Sequence, residues 1–170
     1  MKKVEEVIGF FEKQKDFALI WRPHPLIKPT LRNMCPELIP TYVKLVDRCK
    51  NLDNCIFDDT NDMHTAMAWS DAFMGKYGSM IELYRVAKKP TIMLEVGEKT
   101  NFEINGKYDE EGLRAKVSRC QVIREKDYGL GNLIDFSMKY YRDEAEDEIN
   151  QTDGKRIYDF AIKAAKIKMK

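Results

Sequence analysis

Histidine is scarce in this chain, and the few candidate ligands give a metal centre little support. The 170 residues carry two histidines, His24 and His64, and four cysteines, Cys35, Cys49, Cys55 and Cys120. No Cys-x-x-Cys pair occurs, and grouping Cys49, Cys55 and His64 matches no standard zinc interval. No metal and no cofactor are expected. The cysteines read as thiols in a reducing cytoplasm rather than as a disulfide framework. Long apolar runs are missing too: nothing approaches the roughly 18 residues of a membrane span. Met1-Lys2-Lys3-Val4-Glu5-Glu6 lacks the apolar core of a secretory signal. Neither sign of charge dominates. Lysine and arginine total 29 against 28 aspartates and glutamates, so no basic field covers the surface and nucleic acid is not an expected partner. Internal repeats, low-complexity stretches and linkers are absent as well. The expectation is one compact domain over residues 1–170, large enough to fold without staples.

What is present is an alternation of helical and strand patterns. Val4, Val7, Ile8 and Phe11 recur at helical spacing. Phe17-Ala18-Leu19-Ile20-Trp21 comes next as a continuous apolar run, the pattern of a strand buried on both faces. It stops at Arg22-Pro23-His24-Pro25, where two prolines forbid further pairing. A helix is predicted from about Pro36 to Lys50, a strand at Cys55-Ile56-Phe57, and a short helix through Met63, Ala66 and Met67. A strand at Asp71–Met74 breaks at Gly75-Lys76-Tyr77-Gly78-Ser79, a helix runs to Ala87, and Lys89-Pro90 opens a strand over Thr91–Val96. Asn105-Gly106 reads as a hairpin turn. A weak helix near Glu110–Lys116, a strand at Cys120–Ile123 and helices at Leu130–Glu148 and from Gly154 complete the chain. The acidic run Asp143–Glu148 and the lysines of the tail read as solvated helix faces. Helices between strands imply βαβ units and a parallel sheet covered on both faces.

In such sheets ligands sit outside the carboxyl ends of the strands. Three polar turns fall at those ends: Arg22–Pro25, Asp58-Asp59-Thr60-Asn61, and Gly75–Ser79. Glycines at Gly75 and Gly78 free the backbone to bend, and the helix starting near Ser79 offers unpaired N–H groups to a phosphate. Ser79 either contacts that phosphate or caps its own helix. Arg22 and His24 flank a proline, and an arginine fork beside an imidazole suits a phosphate or pyrophosphate. A loop histidine that caps a neighbouring carbonyl is the plainer alternative. Asp58, Asp59 and Asp62 read first as caps of the next helix. Met67 and Trp69 read as core, and His64 as a surface or half-buried side chain.

These residues also carry a resemblance. Phe17–Leu26, with its Arg22-Pro23-His24-Pro25 strand end, resembles the CDP-glycerol glycerophosphotransferase family of wall teichoic acid polymerases and primases. The stretches Ile56–Thr60 and Ala66–Ser79 are similar to that family's run into an Asp-aromatic-Ser-Ser loop. Leu83-Tyr84 and Lys88-Lys89-Pro90-Thr91-Ile92 match the family's next helix and Lys-Pro strand start, and Asp153–Tyr158 a shortened C-terminal helix start. The likeness spans about residues 16 to 96. It implies a Rossmann-like three-layer α/β domain with a mostly parallel sheet, the C-terminal donor-binding half of a GT-B enzyme, with the helices of about 130–170 packed across it. It further implies a CDP-linked donor with Arg22 and His24 by the pyrophosphate, Tyr77, Gly78 and Ser79 at the phosphates, and Asp58–Asn61 near the cytidine. The implied reaction transfers glycerol phosphate to an acceptor hydroxyl, His24 stabilising the departing CMP. A full-length enzyme of this kind is cytoplasmic and peripheral at the inner membrane face. Two departures stand out: Lys76 and Gly78 occupy places where the family has Asp and Ser. The acceptor-binding half is missing, and the chain starts after the strand expected to open the donor half. A separate N-terminal half, or a partner chain, is the implied complement. Catalysis by these residues alone is not expected, and a non-catalytic nucleotide-binding or interaction module is the alternative.

Overall fold

The computed structural model describes residues 1–95 and 108–150, with side chains through Tyr140. Helix α1 (Lys2–Phe11) buries Val7, Ile8 and Phe11, the stripe its spacing predicts. The chain then enters β1 (Leu19–Trp21), whose register partner is β2 (Cys55–Phe57); the two run parallel with Leu19 opposite Cys55 and Trp21 opposite Phe57. The crossover between them holds α2 (Ile27–Met34), a 3-10 turn (Pro36–Leu38) and α3 (Ile39–Lys50). Next come α4 (Met63–Trp69), β3 (Phe73–Gly75), α5 (Ser79–Val86) and β4 (Thr91–Met93). Helix α6 (Glu110–Ser118) leads to β5 (Ile123–Arg124), then to α7 (Glu125–Tyr128) and α8 (Leu130–Asn150). Strand β4 lies parallel between β3 and β5. The described residues thus form a mixed α/β fold whose strands are all parallel, as the alternating pattern implies.

One difference from the expected single sheet is basic. The strands form two separate ladders, β1-β2 and β3-β4-β5. A common core joins them: Ile8 of α1, Leu19 of β1, Cys49 of α3, Ile92 of β4, Ile123 of β5 and Phe136 of α8 belong to one buried cluster. At the middle of the molecule β4 is sealed, with Thr91 2% and Ile92 1% exposed, whereas every residue of β3 is only partly buried. The same is true of Ile20 and Trp21 in β1, so the strand read as covered on both faces is not.

Other expectations shift for local reasons. Helix α2 has no signal in the sequence pattern, because Pro25 and Pro29 surround its start; Pro29 is tolerated because it sits in the first turn, where no N–H is needed. Gly75 does not break β3 but is its last residue, paired with Met93. A Cβ there would stand 2.6 Å from the Phe73 ring, so any other residue displaces that ring. Trp69, read as core, is 72% exposed at the end of α4. Cys49 and Cys55, read as thiols, form a disulfide across the turn from α3 to β2, while Cys35 and Cys120 remain free. Between the bonded pair, the Asn54 amide donates to the carbonyls of Phe11, Gln14 and Phe17 at 2.7, 2.9 and 3.0 Å, fixing the link from α1 into β1. Helices α5 and α6 end on Lys88 and Cys120 in left-handed conformation, φ 57° and 55°. The Asn105-Gly106 hairpin and the helix from Gly154 lie outside the described residues, as do the Asp143–Glu148 side chains. No helix among the described residues is long and apolar enough to cross a membrane.

Candidate functional site

The polar turns at the ends of β1 and β2 meet, and their charges neutralise one another. Asp58 extends the ladder by donating its N–H to the Trp21 carbonyl at 3.0 Å, which sets its side chain beside that of Arg22. The Arg22 guanidinium bonds the Asp58 carboxylate, the Thr60 hydroxyl at 3.3 Å and the Thr60 carbonyl at 2.7 Å. Asp58 also accepts from the Thr60 hydroxyl at 2.7 Å and the Thr60 N–H at 3.0 Å. Burial works against its charged form, but the bonds from Thr60 and Arg22 prevail and hold the carboxyl below its ordinary pKa. Asp58 is therefore Arg22's counter-ion, and the helix cap is Asp62. It accepts from the His64 N–H at 2.9 Å and the Thr65 hydroxyl at 2.8 Å, and the Thr65 bond leads in lowering its pKa. Asn61 and His64 are exposed on that turn.

His24 and Arg22 are engaged by different partners. The exposed His24 ring accepts the Leu26 N–H on Nδ1 at 3.1 Å, at the start of α2, while the Ile27 N–H bonds the His24 carbonyl at 2.8 Å. The histidine engages its own loop, but its ring accepts a backbone N–H rather than capping a neighbouring carbonyl. An acceptor role for Nδ1 leaves the proton on Nε2, which is free to donate outward.

The third turn is open. Tyr77 is 74% exposed, and Lys76, Gly78 and Ser79 are exposed beside it. Gly78 is the N-cap of α5 and supplies no side-chain cap; Ser79 is the first helical residue, so it does not cap the helix either. The Gly78 backbone is extended at φ 171°, a conformation any residue adopts, and a Cβ would find only the Lys76 carbonyl at 4.0 Å. Its lack of a side chain leaves the first N–H groups of α5 uncovered, and bending needs no glycine here.

A polar girder with no sequence signal links the end of α4 to α5 and the start of β4. The Tyr84 and Ser70 hydroxyls are 2.7 Å apart, and the Tyr84 ring stacks on Phe73 with centroids 4.8 Å apart. Burial raises the Tyr84 pKa, against the Ser70 bond and the charge of Arg22. The Lys89 ammonium donates to the carbonyls of Met67 and Ser70, each at 2.6 Å, closing the end of α4. Desolvation lowers its pKa, with Asp71 opposing. A second network ties α1 to the ends of β4 and β5: Glu125, 3% exposed, accepts from Lys3 at 3.1 and 3.2 Å and from the Glu95 N–H at 3.1 Å. Spacing could not reveal it, because its members lie far apart in the chain. Among the described residues no group of histidine, cysteine or acidic side chains is arranged to hold a metal.

The geometry thus brings Arg22, Asp58 and Thr60 together, leaves His24 and the Tyr77–Ser79 turn exposed, and leaves the start of α5, like those of α1, α2, α3 and α7, without a side-chain cap. No known family, no curated protein and no solved structure matches this chain.

Proposed function

We propose that the chain is the donor-binding half of a glycerophosphotransferase-like GT-B transferase, a Rossmann-like domain that takes a CDP-linked small molecule at the carboxyl ends of its strands. The observation that carries the reading is the bare start of α5, where uncovered N–H groups and the positive end of the helix dipole favour a phosphate. Lys76, in place of the family's Asp, adds a cation there. Tyr77, Gly78 and Ser79 bind the phosphates in this reading, and Asp58 and Asn61 flank the cytidine. Arg22 retains two of its five N–H donors for the pyrophosphate once Asp58 and Thr60 have taken theirs. His24, protonated on Nε2, donates to the departing CMP while glycerol phosphate passes to an acceptor hydroxyl. The acceptor site belongs to an N-terminal half or a partner chain, at the inner membrane face.

A second reading, a nucleotide-binding or interaction module without catalysis, is favoured by the closed Arg22–Asp58 pair, which spends the arginine's charge inside the protein.

Gly78→Asp separates site from scaffold. The extended backbone and open space accept the new side chain, whose carboxylate caps α5 and occupies the phosphate's place. Calorimetry with CMP and CDP-glycerol should show millimolar or tighter binding to the wild type and none to Gly78→Asp, with the melting temperature unchanged or higher. Equal binding by both proteins contradicts the proposal.

A further inference from the structure

Helix α8 starts inside the protein. Gly129, left-handed at φ 79°, closes α7 by donating its N–H to the Glu125 carbonyl at 2.8 Å. Its own carbonyl takes the first bond of α8, from the Leu133 N–H at 3.2 Å. The three N–H groups between, those of Leu130, Gly131 and Asn132, have no earlier turn to bond, and among the described residues nothing else accepts them. At the exposed start of α5 such groups are left to water. Here every residue from 129 to 134 is buried, Leu130 completely.

A second orphan stands beside them. Asn132 is 7% exposed, and its Nδ2 donates to the Tyr128 carbonyl at 2.9 Å. That bond turns the side chain back over the first turn of α8 and fixes which of its two polar atoms is the oxygen. The Oδ1 atom, buried at the same helix start, has no hydrogen-bond partner. Buried polar atoms are rarely left so. The place is also one that ligands use, beyond the carboxyl ends of parallel strands. Strand β5 runs directly into α7, and the Glu95 N–H at the end of β4 bonds Glu125 at 3.1 Å, so α8 begins past both strand ends. It is separate from the α5 start, because β5 lies two strands from β3, about 10 Å at the usual spacing.

We propose that the start of α8 encloses a free inorganic phosphate that keeps a proton. The three N–H groups and the positive end of the helix dipole favour its negative oxygens. Asn132 Oδ1 accepts from the one oxygen that carries hydrogen. An anion without a proton would set a lone pair against Oδ1 and leave it unpaired. Hydrogen phosphate therefore fits at neutral pH, and sulfate, similar in size and charge, does not. Enclosure on this scale admits a small ion through local opening of the one-turn α7 and shuts out a nucleotide. The inference goes beyond the nucleotide reading and does not rest on it.

The full chain carrying Gly78→Asp, labelled with nitrogen-15, tests this site with the α5 start blocked. Inorganic phosphate at millimolar concentration should shift the Leu130, Gly131 and Asn132 amides to saturation. Sulfate at the same ionic strength should bind at least tenfold more weakly, and CMP should leave the three amides in place. Asn132→Leu on the same background keeps the size of the side chain and removes the acceptor. Phosphate should then bind at least tenfold more weakly, because a bond to a charged group is lost, and its advantage over sulfate should vanish. Should that variant not fold, the comparison of phosphate with sulfate decides alone. Three results overturn the proposal: no shift of these amides with phosphate, which means that water or the chain itself serves the orphan groups; an equal response to sulfate, which means an adventitious ion only; or shifts of the same amides with CMP. Each leaves the calorimetry of the wild type against Gly78→Asp standing as a separate test.

Discussion

Asp58 shows how one carboxylate decides what its neighbours can do. Held by Thr60 and Arg22, it gives up its proton more readily when folded than when unfolded. Between the folded and unfolded pKa values the unfolded chain binds more protons, so the stability from this group is present above the unfolded value, near pH 4, and is lost as pH falls through the folded one. Asp58→Asn should cost about 1.5–3 kcal/mol at neutral pH, the range for a bond to a charged group. It should also flatten the acid limb of a urea-midpoint profile, though only in part, since the Asp62 pKa is lowered as well. Gly75→Ala should destabilise by about 1–3 kcal/mol, because the Phe73 ring must leave its place, and chemical denaturation measures it directly. At this scale the sequence is partly legible. The Arg22–His24 spacing and the polar Asp58–Asn61 turn stand out, but the ion pair that unites Arg22 with Asp58 depends on β1 and β2 lying side by side. Spacing also makes Trp69 core, because its neighbours Ala66 and Met67 are apolar; the end of α4 turns it outward instead.

Elements are the most readable level wherever periodicity is strong. The stripe of α1 and the apolar run of β1 are plain in the sequence, while α2 is hidden by prolines that a first helical turn accepts. The disulfide is hidden for another reason. Six residues separate Cys49 from Cys55, an interval that fits no familiar motif, and only the turn between α3 and β2 brings their Cα atoms to 5.4 Å. Closing so short a loop stabilises by roughly 2 kcal/mol on the chain-entropy estimate. Reduction should therefore lower the unfolding free energy from urea titration by about that amount, and the Cys49→Ser, Cys55→Ser double variant should be insensitive to reductant. Helix α5 ends with a bond from the Lys89 N–H to the Tyr84 carbonyl at 3.0 Å, with Lys88 left-handed between them. Glycine is the natural residue there, so Lys88→Gly should raise stability by about 0.5–1 kcal/mol in thermal unfolding.

At the scale of the whole molecule, alternation of patterns along the chain points to the α/β class and the parallel direction of the strands, and three polar turns at strand ends point to the candidate site. The break between the ladders has no signal, because the apolar runs of β1 and β3 read the same whether or not they share one sheet. Nor could spacing reveal that Arg22 is already paired, which moves the weight of the anion site from the Arg22–His24 turn to the start of α5. The central claim is that this helix start, to which its N-cap residue gives no side-chain cap, receives a phosphate. Amide chemical-shift mapping with CMP and then CDP-glycerol, on the full chain at low ionic strength, tests it most directly. Saturating shifts should centre on the backbone amides of Gly78, Ser79 and Met80 and extend to His24. Shifts absent from those three amides at millimolar nucleotide, or gathered elsewhere on the molecule, would contradict the account.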